Sequence, residues 1–521
     1  MGSTIVKLNN YIDIKVGNIK RYSLRSLLVN FLVVVMLRNC MELLSSSTNF
    51  GIYDCIHFSL YYVVAVLYLS VFLTATTQLT GIESLKIVLF SFFIILIPPL
   101  IDLFFTAFIG VPIGYSFTQT PTEFFKSFIS FWGTSKDTFV TIGLRIEITI
   151  ILLSYFLFSL LKSKTFIKSL LKTLLLYVVF FIFSTMPYTN SMLSKIVQNN
   201  ISNFSCQMIG LYLLLIIPGL IILALLIARQ WIIALIKDIR LTRVAHYFLF
   251  ISMGFIIASG ILFAPFQLSL HFVYSVVFLV FSFLCAVLFS IITNNIQDIE
   301  IDKISNPNRP TITKAISLDV YSKLPFPLLL LSLIYAASIG WKIMFLIFIF
   351  IAVFYIYSMP PYRVKRFFLV SKFLIAINTL VALLIGYEFY TSFSTNLMEP
   401  ESINAFFIRT PSFIYPAILL TYTLALNIID LKDYIGDKTA GIKTLSTLFG
   451  IKTSKNIVAG IFLLCYLSLF FIVKQRIILL AILLLALIQI AFLLRRKYNE
   501  HLVFVPYLLG LVLINVYFLF F

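Results

Sequence analysis

Charge is what this chain has least of. Asp, Glu, Lys and Arg together make up 11% of its 521 residues against 61% hydrophobic residues, and the mean hydropathy is +1.05. That shortage excludes a soluble globular protein, which has no interior large enough to hide so much apolar surface. Histidine is scarcer still: there are four, and only His57 falls in residues 1–240, too few to ligate an intramembrane haem there. The five cysteines, Cys40, Cys55, Cys206, Cys285 and Cys465, show no CxxC or other metal-ligand spacing, which argues against a disulfide framework or a thiolate site. Acidic residues number 20 against 39 basic ones, for a net charge of +19. No nucleic-acid partner follows from that excess, because the cations sit in short loops between apolar runs rather than on one polar face.

Apolar runs of about 20 residues, the length that spans a bilayer as a helix, are what the chain has in plenty. They fall at 26–46, 56–79, 86–110, 143–162, 166–187 and 209–230, then at 246–265, 271–293, 324–340, 342–358, 368–390, 412–429, 456–473, 476–494 and 502–520. The first is the weakest, interrupted by Arg38 and Glu42. The reading is an all-α integral membrane protein. A basic break at Gln230–Arg243 divides it into residues 1–240 with about six spans and 241–521 with nine, with no internal repeat between them. The polar, basic segment Met1–Arg25 lacks a small-residue cleavage site and reads as a retained cytoplasmic leader.

Loop charges set an expected topology. With the N-terminus inside, the cytoplasmic loops of the second part carry Lys237, Arg240 and Arg243; Lys303, Arg309 and Lys314; Arg363, Lys365, Arg366 and Lys372; Lys432, Lys438 and Lys443; and Arg495, Arg496 and Lys497. The opposite loops carry only Lys342, Arg409, Lys474 and Arg476, and the longest of them holds Glu399 and Glu401. This asymmetry predicts a multi-pass cell-membrane protein with the loops bearing its acidic clusters on the cytoplasmic side. Two sequons at Asn200 and Asn203, in loop 188–208, fit the outer side.

Against so few carboxylates, two clusters stand out. Asn294, Asp298 and Asp302 are spaced i, i+4, i+8 at the end of one span, so a continuing helix would stack them on one face. Asp433 and Asp437 repeat the i, i+4 spacing at the end of another, with Asp430 one turn back. Ionisable groups at membrane depth are costly and default to a functional reading. Magnesium takes hard oxygen ligands, typically one or two carboxylates plus substrate phosphates. Two such stripes facing each other would hold a magnesium-bound diphosphate between them. The competing reading is a pair of solvated helix ends with salt bridges to Lys432 and Lys438. A third segment, Tyr357-Ser358-Met359-Pro360-Pro361-Tyr362-Arg363-Val364-Lys365-Arg366, ends a span at two prolines and then presents a phenol and three cations suited to phosphate oxygens. Taken alone, those cations read equally as a positive-inside anchor.

Together the segments Asn294–Pro310, Tyr357–Arg366 and Asp430–Leu445 resemble the UbiA superfamily of intramembrane prenyltransferases, with its NDxxDxxxD motif, YSxPPxRxK-like loop and DxxDxxGDxxxGxxTL motif in that order. The resemblance covers about residues 240–521 and implies a bundle of nine transmembrane helices. It also implies magnesium-dependent transfer of a polyprenyl group from a polyprenyl diphosphate to a membrane-accessible acceptor, in quinone or lipid biosynthesis. Acceptors in that superfamily include aromatic quinone precursors, porphyrins and glycerol-phosphate lipids. By the same resemblance, Asn294, Asp298 and Asp302 hold one magnesium and Asp430, Asp433 and Asp437 the other. Asp298, Asp302, Asp433 and Asp437 are then the catalytic carboxylates, and Arg309, Tyr357, Arg363 and Lys365 contact the diphosphate. Glu300 and Lys432 lie off the stripes. One departure stands out: Asn295 occupies the place of the usual Asp, rotated about 100° from the 294/298/302 face. On spacing alone, Asn295→Asp is expected to be tolerated. The departure also motivates the alternative of a degenerate UbiA-like binding or transport protein.

Residues 1–240 read as a polytopic membrane domain of unassigned role. Asp102, beside Pro98-Pro99, and Glu147 lie within spans, where a salt bridge or a helix-end contact is the expected explanation before a polar pathway. The basic loop from Lys162 and Lys164 to Lys172 is placed to meet anionic membrane lipids.

Overall fold

The protein is described here as a computed structural model covering residues 14–45, 51–105, 115, 120–132, 140–163, 165–196, 203–262, 268–393, 414–439 and 441–520. Lys164, Asn200, Glu399, Glu401, Arg409 and the first part of the N-terminal leader lie outside the described residues. The described elements are all helices. Fourteen are long and apolar enough to cross a membrane, and a shorter apolar helix, Tyr415–Leu431, coincides with the remaining expected span. Helix is the form that satisfies every backbone N–H and C=O within a single segment, as hydrocarbon requires.

Two compact units divide the chain: Met1–Arg229 with Leu268–Tyr274, and Gln230–Gln267 with Ser275–Phe521. In the first, the long helices are Leu24–Ser45, Ile52–Thr76, Ile142–Ser163 and Phe166–Ser184, with Gly81–Phe105 interrupted by a 3₁₀ turn. Capping boxes start two of its helices, Thr80 with Glu83 and Thr120 with Glu123. The sixth helix, Phe204–Asp238, departs from expectation. A loop is expected from Gln230, yet the chain stays helical to Asp238 beyond non-helical angles at Ala228 (φ −145°, ψ 48°). The apolar stretch Trp231–Ile236 explains this, since it carries no breaker and the charge begins only at Lys237.

The second unit packs Leu241–Leu262 against Val370–Thr391 through paired glycines. A Cβ at Gly254 would strike the Leu383 carbonyl, and one at Gly386 the Ile251 carbonyl, so the two backbones lie in direct contact. Leu270–Gln297, Trp341–Ser358, Ile414–Ala425, Ile451–Ser468, Arg476–Leu494 and Glu500–Phe520 complete the bundle, with Pro325–Ile339 entered through a proline at its first turn. The Trp341–Ser358 helix stops immediately before Pro360-Pro361.

Candidate functional site

The first acidic stripe is not one uninterrupted helix. The 270–297 helix ends at Gln297, Asp298 takes φ −104°, ψ 14°, and a short helix, Ile299–Ser305, follows. The register survives the break, because the Asp298 N–H donates to the Asn294 carbonyl (3.0 Å) and the Asp302 N–H to the Asp298 carbonyl (2.7 Å). Asn294, Asp298 and Asp302 therefore stay on one face. The second cluster is built similarly: Asp430 lies in a 3₁₀ stretch, Leu426–Leu431, and the Asp437 N–H donates to the Asp433 carbonyl (2.8 Å).

Both clusters line a single cavity of about 210 Å³ inside the second unit. That is several times the ~30 Å³ that one water occupies, so it is a binding space rather than a packing defect. Its polar end holds Asn294, Asp298, Asp302, Asp430, Asp433 and Asp437 with Arg240, Arg243, Lys365 and Lys372. Its remaining wall is largely apolar and aromatic, including Tyr247, Phe354, Tyr422, Phe462, Phe504 and Tyr507. One amide ties the clusters together: Asn306 Nδ2 donates to Asp302 Oδ1 at 2.8 Å and to Asp433 Oδ1 at 3.4 Å.

The proline loop closes on the first cluster. Arg363, in a left-handed conformation at φ 38°, opens a 3₁₀ turn over Val364–Arg366. From that turn Arg363 Nη2 donates to the Gln297 carbonyl (3.0 Å) and to Asp298 Oδ1 (3.2 Å), and Lys365 Nζ pairs with the same carboxylate. Tyr357 and Lys365 line the cavity. Arg309 is placed differently. It is buried, its Nη1 pairs with Asp238, and its Nε lies 3.8 Å from Asp302 Oδ2. A guanidinium held this way sits behind the first cluster and is turned toward protein carboxylates, not toward the cavity. Arg363 likewise points its donors at Gln297 and Asp298.

The salt-bridge alternative for the second cluster does not describe what is seen. Lys432 pairs with Glu500 (3.6 Å), and Lys438 lies over the Tyr434 ring. Asp430 pairs instead with Lys372, a buried lysine on the neighbouring 370–391 helix. Glu300 forms an exposed pair with Lys303. Along the sequence Lys372, Arg240 and Arg243 read as topology signals, while Asn306, Asp238 and Glu500 belong to neither acidic stripe nor the proline loop. Lys372 and Glu500 carry a usable signal, since each is an ionisable residue in the first turn of an apolar helix.

Negative charge at the polar end is left under-compensated. Burial first, and then the facing carboxylates Asp298 and Asp433, push the Asp302 carboxyl up to about 7. Burial, with Asp430 and Asp433, does the same for Asp437, also to about 7. Asp302 Oδ2 and Asp430 Oδ2 are buried without a hydrogen-bond partner. Such a donor set fits a hard divalent cation. Among the described residues no three carboxylate, His or Cys side chains converge tightly enough to hold an ion alone, so ligands from water or a phosphate group would complete its shell.

A helical membrane bundle whose buried carboxylates and cations share one end of an otherwise apolar cavity defines a narrow class of protein. Residues 247–505 match the UbiA prenyltransferase family, and through this second half the chain belongs to it. It is 27% identical over 180 residues to the homogentisate phytyltransferase of Synechocystis sp.; the match covers 34% of this chain and spans 55% of that relative's length. Among solved structures it is similar to a UbiA homologue from Archaeoglobus fulgidus bound to GPP and Mg2+, with 21% identity, TM-score 0.39, and 54% of this chain and 98% of that one covered. It is also similar to the apo UbiA homologue from Aeropyrum pernix, with 16% identity, TM-score 0.38, and 51% and 95% covered.

Proposed function

We propose that the second unit transfers a prenyl group from a polyprenyl diphosphate to a membrane-accessible acceptor, an aromatic quinone precursor or a glycerol-phosphate lipid, with release of diphosphate. The observation that carries this reading is the joining of both carboxylate clusters across one cavity, with cations beside them and an aromatic wall beyond. Asn294, Asp298 and Asp302 would hold one magnesium, and Asp430, Asp433 and Asp437 a second. Bound there, magnesium supplies charge neutralisation for the diphosphate as it departs.

The rest of the chemistry falls to the chain. Lys365, Lys372, Arg240 and Arg243 orient the diphosphate oxygens as fixed charges, which need no reorganisation when negative charge develops. Tyr357 lines the same end. The C1–oxygen bond of the prenyl diphosphate breaks, and its electron pair leaves with the diphosphate. Tyr247, Phe354, Tyr422, Phe462, Phe504 and Tyr507 exclude water from the allylic cation and offer it ring faces. The acceptor's nucleophilic atom bonds to C1, and the proton it loses departs with the diphosphate. Arg309 and Arg363 act on this reading by holding the carboxylates. The loop-charge asymmetry supports a polar end that faces the cytoplasm, in a protein of the cell membrane.

The deciding experiment incubates the purified full chain with geranylgeranyl diphosphate, magnesium and separate acceptors: a hydroxybenzoate, a naphthoate, homogentisate and a glycerol-phosphate lipid. Diphosphate release coupled to one prenylated product is expected, and that product identifies the acceptor class. Folded protein that releases none with any acceptor would favour the non-catalytic binding or transport alternative.

A further inference from the structure

We infer that Asp238, which precedes the family-matched stretch, is the carboxylate that positions Arg309 and through it Asp302, and that position 295 is an amide because it must donate to Asp238. Asp238 is the last residue of the 204–238 helix and is buried. One carboxylate oxygen pairs with Arg309 Nη1. The other accepts from Asn295 Nδ2 at 2.6 Å, and the Tyr321 hydroxyl stands 3.4 Å from it and 2.9 Å from the same amide nitrogen. Asn295, Tyr321, Arg309 and Asp238 are all at most 9% exposed. The apolar cluster of Ile292, Ile316 and Tyr321, joined by Ala234, Leu235 and Ile296, keeps water away from them.

One guanidinium already serves two carboxylates there, Asp238 and, at 3.8 Å, Asp302. A carboxylate at 295 would stand at hydrogen-bond distance from Asp238 with no second cation to offset it, so the tolerance expected from spacing for Asn295→Asp does not fit this geometry. In this pocket the carboxylate is supplied from position 238, and position 295 supplies the amide that donates to it. With Nη1 fixed on Asp238, the Nε edge of Arg309 is turned to Asp302 Oδ2 at 3.8 Å, an ion-pair distance, and neither of those two atoms has a hydrogen-bond partner. Asp238 and Asn295 are thus positioning residues for a carboxylate of the cavity, and on the proposed function for that carboxylate's grip on magnesium-bound diphosphate.

The test is a charge swap read by binding. The full chain and its variants Asp238→Asn, Asn295→Asp and Asp238→Asn/Asn295→Asp are titrated calorimetrically with inorganic diphosphate in magnesium, alongside thermal unfolding. Each single variant is expected to weaken binding by about 10- to 100-fold, and the swap to recover about tenfold or more of that loss. Singles that bind like the wild type, or a folded swap no better than the weaker single, overturn the inference. If a single variant does not fold, the swap is compared directly with the wild type, and a swap that fails to fold or bind overturns it too. Wild-type chain that does not bind magnesium diphosphate overturns both this inference and the proposed function. Binding without prenyl transfer to any acceptor counts against the proposed function alone and leaves the swap readable.

Discussion

Both units bury ionised residues inside apolar helices, but they use them in opposite ways. In the first unit, Arg38 is 1% and Glu42 4% exposed, and they pair with each other at 2.6 Å within one helix. Arg38 also donates to the Ile95 carbonyl, and Asp102 accepts from the Gly143 N–H at 2.8 Å at the start of the 142–163 helix. Each of these three charges ends on a protein partner. The second unit collects carboxylates and cations from separate segments around one cavity and leaves carboxylate oxygens over. Burial therefore does not distinguish the two sets of charges. Excess charge facing a space does.

The sharpest way to break this contrast is to remove carboxylates on each side of it. Asp298→Ala or Asp433→Ala is expected to lower kcat by at least about a hundredfold, because the diphosphate charge loses its compensation. Near-wild-type turnover in either would end the two-cluster assignment. Glu42→Ala should act on stability instead, costing about 3–5 kcal/mol in denaturant unfolding by leaving Arg38 buried without its partner. The folded fraction should keep wild-type KM and kcat; a lowered kcat with unchanged stability would place Glu42 among functional charges.

Magnesium should discriminate next. The Asp302 and Asp437 carboxyls titrate near 7 in the folded chain, above the ~4 of an exposed Asp. Between those values the folded chain holds more protons than the unfolded one, so in chelator the melting temperature should fall as pH rises from about 5 to about 8. Added magnesium should raise it more at pH 8 than at pH 5, since the ion takes ionised carboxylates. Equal magnesium stabilisation at both values would contradict a carboxylate site. The smallest perturbation is a topology label. Single cysteines at Lys303, Arg366 and Thr439, in a background without the native cysteines, should resist an impermeant maleimide in intact cells, while one at Ser191 reacts. Positions 303 and 439 labelling from opposite sides would separate the clusters and remove the shared diphosphate.

The carboxylate clusters were legible in the chain because charge is rare there and i, i+4 spacing survives even the break at Asp298. Their partners were not. Lys372 meets Asp430 across two helices, Asn306 bridges two clusters, and Asp238 reaches Arg309 and Asn295 from the helix before the family-matched stretch. Arg309 illustrates the same limit. Its type suits a phosphate, and only the direction in which its neighbours hold it turns it toward protein carboxylates instead.

Hydropathy and charge spacing along the chain are local quantities, and they were enough to specify a helical membrane protein, its run of spans and the two acidic helix ends. Partner choice is not local. Which cation neutralises which carboxylate, and whether an asparagine replaces an aspartate by loss or by exchange, depends on side chains distant in sequence meeting within about 3 Å, where hydrogen bonds form. Those meetings are set by helix packing such as the Gly254–Gly386 approach, and no stretch of sequence read alone contains them.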